Sequence, residues 1–224
     1  MRDTDHKLDD QYRRRFEAED ATRQRVWRVL IDSWFGRYVH PDDRVLDLGC
    51  GWGPFINQID AAERYGIDLN PDAGNHLAAG VTLFQQRADD HWPVDDGHLD
   101  LVFSSNFLEH LPDRVAVTAT LTEAYRCLKP GGTLVLMGPN IKYVGGAYWD
   151  FFDHYVPLTE ASLVEATELV GFRTTTVHGR FLPFTMAGKP PPPSLLVKLY
   201  LRFKPAWRFL GKQFLVVVTK PANG

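Results

Sequence analysis

Hydrophobic positions along this 224-residue chain recur with two periods, and the period switches repeatedly between them. Short apolar runs bounded by turn residues predict strands at Arg44–Leu48, Arg64–Asp68, Val81–Gln85, Leu99–Ser104, Thr133–Met137, Phe172–His178 and Phe214–Thr219. Between several of them the apolar spacing becomes helical. Val117, Leu121, Ala124, Tyr125 and Leu128 share one face of a predicted helix that stops at Lys129-Pro130-Gly131-Gly132. A second predicted helix takes Thr159 as its N-cap, Leu158 and Leu163 as a hydrophobic staple, and Gly171 as its end. Upstream, Val26, Trp27, Leu30, Ile31, Trp34 and Tyr38 predict an amphipathic helix within residues 16–38, after a polar, frayed stretch over 1–15.

Strand–helix alternation implies a mostly parallel sheet with helices on both faces. The last two strands lack a simple crossover helix between them, which predicts an antiparallel pair at an edge. The chain divides on this reading into an N-terminal helical cap (1–39), a core (40–180 with 214–221) and an insertion over 181–213. The insertion contains the stiff run Pro190–Pro193. Leu195, Leu196, Leu199, Tyr200, Phe203, Trp207, Phe209 and Leu210 come after it, interleaved with basic residues, and Pro205 must break any helix there in two.

A hydrophobic content of 44% supports one substantial core. The net charge of -3 hides a polarity: no Asp or Glu follows Glu168, while nine Lys and Arg do. This basic tail predicts either an anionic partner or a face neutralised by the acidic body of the molecule. Cys50 and Cys127 form neither a disulfide framework nor a zinc pattern. The charged N-terminus and the lack of an apolar run of ~18 residues predict a soluble, cytoplasmic protein.

The candidate chemistry begins at Val45-Leu46-Asp47-Leu48-Gly49-Cys50-Gly51-Trp52-Gly53-Pro54-Phe55, where a buried strand runs into alternating glycines and then a predicted helix. Such glycines let the backbone turn sharply and approach a ligand. The dinucleotide pattern G-x-G-x-x-G is broken, because its third position is Pro54. Asp47 is also misplaced beside a pyrophosphate but suits a ligand with a cationic end, so a nicotinamide-dependent oxidoreductase is disfavoured. Asp68 ends the second predicted strand about 20 residues later, the spacing for a carboxylate that binds ribose hydroxyls. Asp89 and Asp90 follow the third strand, where either could meet an adenine edge.

With Val45–Gly53, Gly66–Asp68, Pro93–Val102, Phe107-Leu108-Glu109-His110-Leu111 and Leu128–Gly132, the chain resembles the class I S-adenosylmethionine (SAM)-dependent methyltransferases, especially the small-molecule group called type 11 or type 23. The resemblance covers roughly residues 40–180 and the last strand. It implies a seven-stranded Rossmann-like sheet of order 3-2-1-4-5-7-6 with strand 7 antiparallel. It further implies that Asp47, Gly49, Gly51 and Gly53 surround the methionine moiety of SAM and that Asp68 holds the ribose. Leu69 would pack on the adenine, Asp89 (or Asp90) would reach its edge, and Ser104 or Asn106 would lie near the sulfonium. A non-catalytic protein of the same fold is the other reading, disfavoured because a scaffold has no need for the intact acid–glycine set.

Acceptor groups are expected at the C-terminal ends of the strands. His154, in an aromatic loop beside Asp153, is the favoured general base, with a helix-entry hydrogen-bonding role as its alternative; His110 is a second catalytic candidate that could instead fix the loop after strand four. Asn140, Tyr143 and Trp149 are candidate substrate contacts. Glu109, His110 and His154 resemble part of a Glu-x-x-Glu-His plus distal His set that holds Mg²⁺ in some relatives. Asn106 stands where the first Glu would be, so the chain is read as metal-independent. No Asn/Asp-Pro-Pro-aromatic motif follows strand four, which disfavours nucleic-acid substrates. The expected reaction is O-methylation of a small acceptor: a sugar, polysaccharide precursor or secondary metabolite, with N- or C-methylation as alternatives. Three roles stay open for the insertion: a cap over the site, a homodimer face, or a contact through 189–212 with a membrane or lipid-linked substrate.

Overall fold

A computed structural model describes residues 20–184 and 192–222. The expected fray over 1–15, and Lys189, Pro190 and Pro191 of the insertion, lie outside the described residues. In chain order the elements are α1 (Asp20–Ser33), β1 (Arg44–Leu48), β2 (Glu63–Ile67), α2 (Ala73–His76), β3 (Val81–Phe84), β4 (Leu99–Ser105), α3 (Arg114–Cys127), β5 (Leu128–Pro139), α4 (Ile141–Val144), α5 (Glu160–Val170), β6 (Arg173–His178), α6 (Ser194–Arg202), α7 (Pro205–Leu210) and β7 (Gln213–Thr219). The seven strands form one sheet of order β3-β2-β1-β4-β5-β7-β6. β7 runs antiparallel to both β5 and β6, and the other pairings are parallel. Strand order and direction of pairing match the expectation, and β6 forms the edge.

Side-chain alternation assigns the two faces. Leu46, Leu48, Leu134, Leu136, Val216 and Val218 join one core with α3 and α5, through Val117, Leu121, Ala124 and Leu163. Val45, Val135, Met137, Leu215 and Val217 join the other with α1, α6 and α7, through Val29, Leu30, Val197, Leu201 and Trp207. Leu99 and Val102, three positions apart, share the first core because the β4–β5 register shifts between Leu99 and Leu101. A one-residue irregularity moves every later side chain of the strand to the opposite face.

The helix ends obey local chemistry. Thr159 caps α5 reciprocally with Ser162, its staple partners Leu158 and Leu163 are both buried, and Gly171 closes the helix in a left-handed conformation. Pro205 occupies the first turn of α7, so the predicted break falls between α6 and α7.

Three expectations change. The helix expected directly after the glycine loop is only a turn over residues 54–58, held by Asn57 N–H to Gly53 O at 3.0 Å and Gln58 N–H to Phe55 O at 3.0 Å. The left-handed Gly53 blocks helical backbone before Pro54, and the chain must reach β2 by Glu63, so one turn is all that fits. β5 starts at Leu128 rather than Thr133, because Lys129-Pro130-Gly131-Gly132 enters the sheet through the irregular register beside Leu99. The helix predicted within 16–38 ends at Ser33 among the described residues and tightens to a 3-10 turn at Phe35–Tyr38.

Without a long helix after β1, the second face is closed from both ends of the chain. Trp34 of the N-terminal segment meets Phe181 and Trp207 at ring distances of 5.1 Å each, and His178 of β6 lies against the same group. The Trp207 indole also donates to Tyr200 O at 2.9 Å. Trp207→Ala should therefore lower stability by about 3–5 kcal/mol in urea unfolding. Phe209→Ala, on the exposed side of the same short helix, should change it by no more than about 0.5 kcal/mol.

Candidate functional site

Parallel pairing brings the ends of β1, β2 and β4 together at one edge of the sheet, with Leu48 opposite both Ile67 and Ser104. The chain leaving β1 folds over that edge: Gly49 N–H and Cys50 N–H both donate to Ile67 O, at 2.8 and 3.2 Å. Gly49 and Gly51 adopt positive φ and are needed for different reasons. A Cβ on Gly49 would overlap the Phe107 ring, so that residue is glycine for packing. A Cβ on Gly51 would meet nothing within 4 Å, so that position borders open space.

Two acids line this loop. Asp47 is buried, and burial together with the nearby Asp68 pushes its carboxyl up to about 8, although Ile56 N–H donates to it. Asp68 accepts Gly51 N–H at 2.7 Å on Oδ2 and Asn70 N–H at 2.8 Å on Oδ1. Burial still raises its pKa against these bonds. No described Lys or Arg pairs with either acid. Leu69 follows at 60% exposure, an apolar side chain left open at the rim. The glycine loop, Asp47, Asp68 and Leu69 are thus adjacent, as their order in the sequence implied.

Other expected cofactor contacts are placed differently. Ser104 is buried, and its hydroxyl donates to Leu48 O at 2.9 Å, which stitches β4 to β1. Asn106 holds a left-handed φ of 51°, and its Nδ2 donates to Ser105 Oγ at 2.9 Å. Its backbone N–H is anchored to Met137 O at 2.8 Å. Asp89 is tied to Arg87 at 2.7 Å, which holds its carboxyl below the usual range, and it borders an open surface groove with Arg114 and Thr118 of α3. Asp90 is exposed.

Sequence reading missed Asn57 and the Trp52–His76 pair. Asn57 Nδ2 donates to Trp52 O at 3.1 Å and His76 O at 2.9 Å, and its Oδ1 accepts Ala78 N–H at 2.8 Å. This one amide joins the glycine loop to the segment between β2 and β3. Trp52 stacks on His76 at 3.8 Å, 8° from parallel. The only sequence signal for Asn57 was a polar residue amid Phe55, Ile56 and Ile59.

Beyond β4 the chain gathers a second group. One ligating atom from each of Glu109, His110 and His154 lies within 4.8 Å of the others. Glu109 is buried, which raises its carboxyl to about 7. His110 Nδ1 donates to the Asp153 carbonyl at 2.9 Å and lies 3.3 Å from its carboxylate. Burial works against the His110 imidazolium, but Asp153 and Glu109 outweigh it and hold the pKa above its ordinary value. The same pairing lowers Asp153 to about 2. Asp153, adjacent to His154 in sequence, pairs with His110. His154 is buried among rings: Tyr148 at 4.6 Å, Phe151 at 4.8 Å and His110 at 4.9 Å. As a donor set, one carboxylate with two imidazoles suits a nitrogen-preferring transition metal better than Mg²⁺, which favours oxygen ligands.

The expected substrate contacts divide. Asn140 is fully buried, and its amide donates to Gly179 O at 2.8 Å and to Glu160, while its Oδ1 caps α4 at Lys142 N–H. Both amide protons of Asn140 are thus engaged within the fold. Tyr143 lies under the Arg180 guanidinium at 3.9 Å. Trp149 is exposed beside Tyr148.

The contrast between the two glycines is testable. Gly51→Ala should cost about 1–2 kcal/mol, the strain of a left-handed non-glycine residue alone. Gly49→Ala should cost distinctly more, because Phe107 must also move; thermal unfolding of both variants checks the order.

Residues 5–177 match a family model described as a methyltransferase domain. The chain is 33% identical over 137 residues to the sarcosine/dimethylglycine N-methyltransferase of Halorhodospira halochloris, covering 54% of this chain and 45% of that protein. It is 33% identical over 121 residues to the ubiquinone biosynthesis O-methyltransferase of Xanthomonas campestris pv. campestris (strain B100), covering 50% and 49%. The alignments thus span about half the length of these curated relatives. A SAM-dependent methyltransferase from Archaeoglobus fulgidus superimposes with a TM-score of 0.68 over 92% of this chain and 99% of that one, at 20% identity, a likeness of fold. The sheet order that the sequence implied is the one observed, and the matched residues run through β1, the glycine loop and the histidine cluster: the chain belongs to the methyltransferase domain family, within the class I SAM-dependent methyltransferases.

Proposed function

We propose that this chain transfers the methyl group of SAM to a hydroxyl of a small organic acceptor, such as a sugar, a polysaccharide precursor or a secondary metabolite. The observation that carries the reading is the pairing of two unlike sites at one sheet edge. A buried acid, Asp47, and a half-buried one, Asp68, flank the glycine loop without a described cation, and an Asp-oriented imidazole lies just beyond β4. Phe107 links them, since its ring packs on Gly49 and it immediately precedes the turn that carries Glu109 and His110.

The residues of the first site fit SAM. Asp47 would balance the cationic amino-acid end, and Gly51 leaves room for close backbone approach. Each Asp68 oxygen already accepts one backbone N–H and keeps a lone pair for a ribose hydroxyl. Leu69 offers an apolar surface for a flat base. When bound, SAM supplies a methyl carbon already activated by its sulfonium, so alignment and exclusion of water carry much of the catalysis.

At the second site, the Nδ1–H bond to Asp153 fixes the His110 tautomer and leaves Nε2 as the basic nitrogen. Neutral His110 would remove the hydroxyl proton as the acceptor oxygen attacks. In this reading His154 is a positioning residue that walls the His110 ring. An amine acceptor is the second reading, favoured by the likeness to the sarcosine/dimethylglycine enzyme; the same base would then remove an ammonium proton.

The Asp47 carboxyl, raised to about 8 in the free protein, is largely protonated at neutral pH. Binding a cation favours its ionised form, so SAM binding should release a proton and tighten as pH rises from about 6 toward 8. Calorimetry in buffers of different ionisation enthalpy reads that proton, and Asp47→Asn should abolish both the release and the pH dependence.

Turnover should rise with pH through a His110 pKa above its ordinary value, because the neutral form is the base. His110→Ala should lower kcat by about 10²–10⁴-fold with SAM affinity unchanged. His154→Ala should cost less, and the reverse order would transfer the role to His154. Undiminished turnover in EDTA is expected for a metal-independent reaction. The experiment that tests the whole reading is a labelled-methyl transfer screen over hydroxylated sugars, lipid-linked glycans, phenolics and small amines.

A further inference from the structure

Val197 and Leu201 turn one side of α6 onto the sheet, yet the opposite side of the helix is apolar too. Leu195 and Leu199 are one turn apart, with Leu196 beside them, so all three face away from the Val197–Leu201 seam. Phe203 continues the series at the end of α6, and Phe209 and Leu210 add to it on α7. All six side chains are between 54% and 78% exposed, within sixteen consecutive positions. Single exposed apolar residues are ordinary, but a series this dense is not.

Lys198, Arg202, Arg208 and Lys212 are interleaved with them and exposed; Lys204, also exposed, sets its Nζ 6.0 and 5.9 Å from the Trp34 and Trp207 rings. None takes part in an ion pair among the described residues. No carboxylate side chain follows Glu168 anywhere in the sequence. This charge pattern selects the occupant. A second copy docking by two-fold symmetry would bring the basic series against itself, a like-charge juxtaposition that opposes association. An anionic lipid surface satisfies both components, since headgroup phosphates neutralise Lys and Arg while Leu and Phe enter the acyl boundary. No described helix is long and apolar enough to cross a membrane, so α6 and α7 would lie in the plane of the interface.

We propose that α6 and α7 seat this protein on an anionic lipid bilayer through the outward Leu/Phe series and its interleaved Lys and Arg. The helices thereby serve two surfaces, closing the sheet with Val197, Leu201 and Trp207 and meeting lipid with the opposite side. This inference is independent of the methyl-transfer reading, because neither helix carries a residue assigned to that site.

The test is flotation of the full chain with vesicles of phosphatidylcholine containing roughly one-third phosphatidylglycerol, against pure phosphatidylcholine. At least about tenfold preference for the anionic vesicles is expected, weakening at high salt. The variant Leu195→Ser/Leu199→Ser/Phe209→Ser and the variant Lys198→Glu/Arg208→Glu should each lose that preference while melting like the parent protein, since all five positions are exposed. No flotation of the parent protein, or flotation unchanged in both variants, overturns the proposal. Sedimentation that shows a dimer dissolved by the Leu/Phe variant would assign the face to a second copy and also overturn it.

Discussion

One carboxylate, Asp47, is buried and a second, Asp68, is half-buried beside the same glycine loop, and no described side chain supplies a counter-charge. The constraint arises in the sheet: parallel register sets Asp47 opposite Gly66 and carries β1 and β2 to the same edge, where Asp68 emerges directly after β2. Gly66 is compelled by the same crowding, since a Cβ there would lie 2.7 Å from Cys50 Sγ. The loop answers by turning its own N–H groups inward, Gly51 to Asp68 and Ile56 to Asp47. Backbone donors soften the cost of burial without cancelling it, which is why both titrate high. That cost, borne by the free protein, is what the proposed cationic ligand would relieve.

The short connection after β1 has a structural consequence far from the loop. A single turn there, and the four-residue α2 after β2, leave much of one sheet face uncovered. The two ends of the chain close it: α1 from before β1, and α6 and α7 from between β6 and β7. Their meeting point is aromatic, with Trp34, His178, Phe181 and Trp207 in mutual contact. α6 and α7 are thus packed as a covering layer, and their outward side is what remains available for an external surface.

The histidine cluster is organised by pairing rather than by proximity in sequence. Asp153 adjoins His154 in the chain but bonds His110, 43 positions earlier. That contact, with Tyr155 N–H to Glu109 O at 2.8 Å, clamps the loop after β5 to the turn after β4. Ring packing around His154 then fixes the imidazole of His110 from its side. The oriented imidazole of His110 is a product of two loops locked together.

Much of this was legible in the chain itself. Short apolar runs bounded by turn residues located all seven strands, and the order of glycines and acids along the chain foretold their adjacency at one sheet edge, because both depend on residues close in sequence. Thr159, Gly171 and Pro205 fixed helix ends through backbone chemistry that needs no tertiary partner. What the sequence left open depends on distance in space. What Ser104 and Asn140 bond within the fold was decided by Leu48 O in one case and by Gly179 O and Glu160 in the other. Which histidine owns Asp153, which glycine borders open space and which side of α6 is buried were decided likewise. A sequence specifies the groups a residue carries; only the folded chain determines whether those groups are already satisfied, and so whether any are left for a ligand.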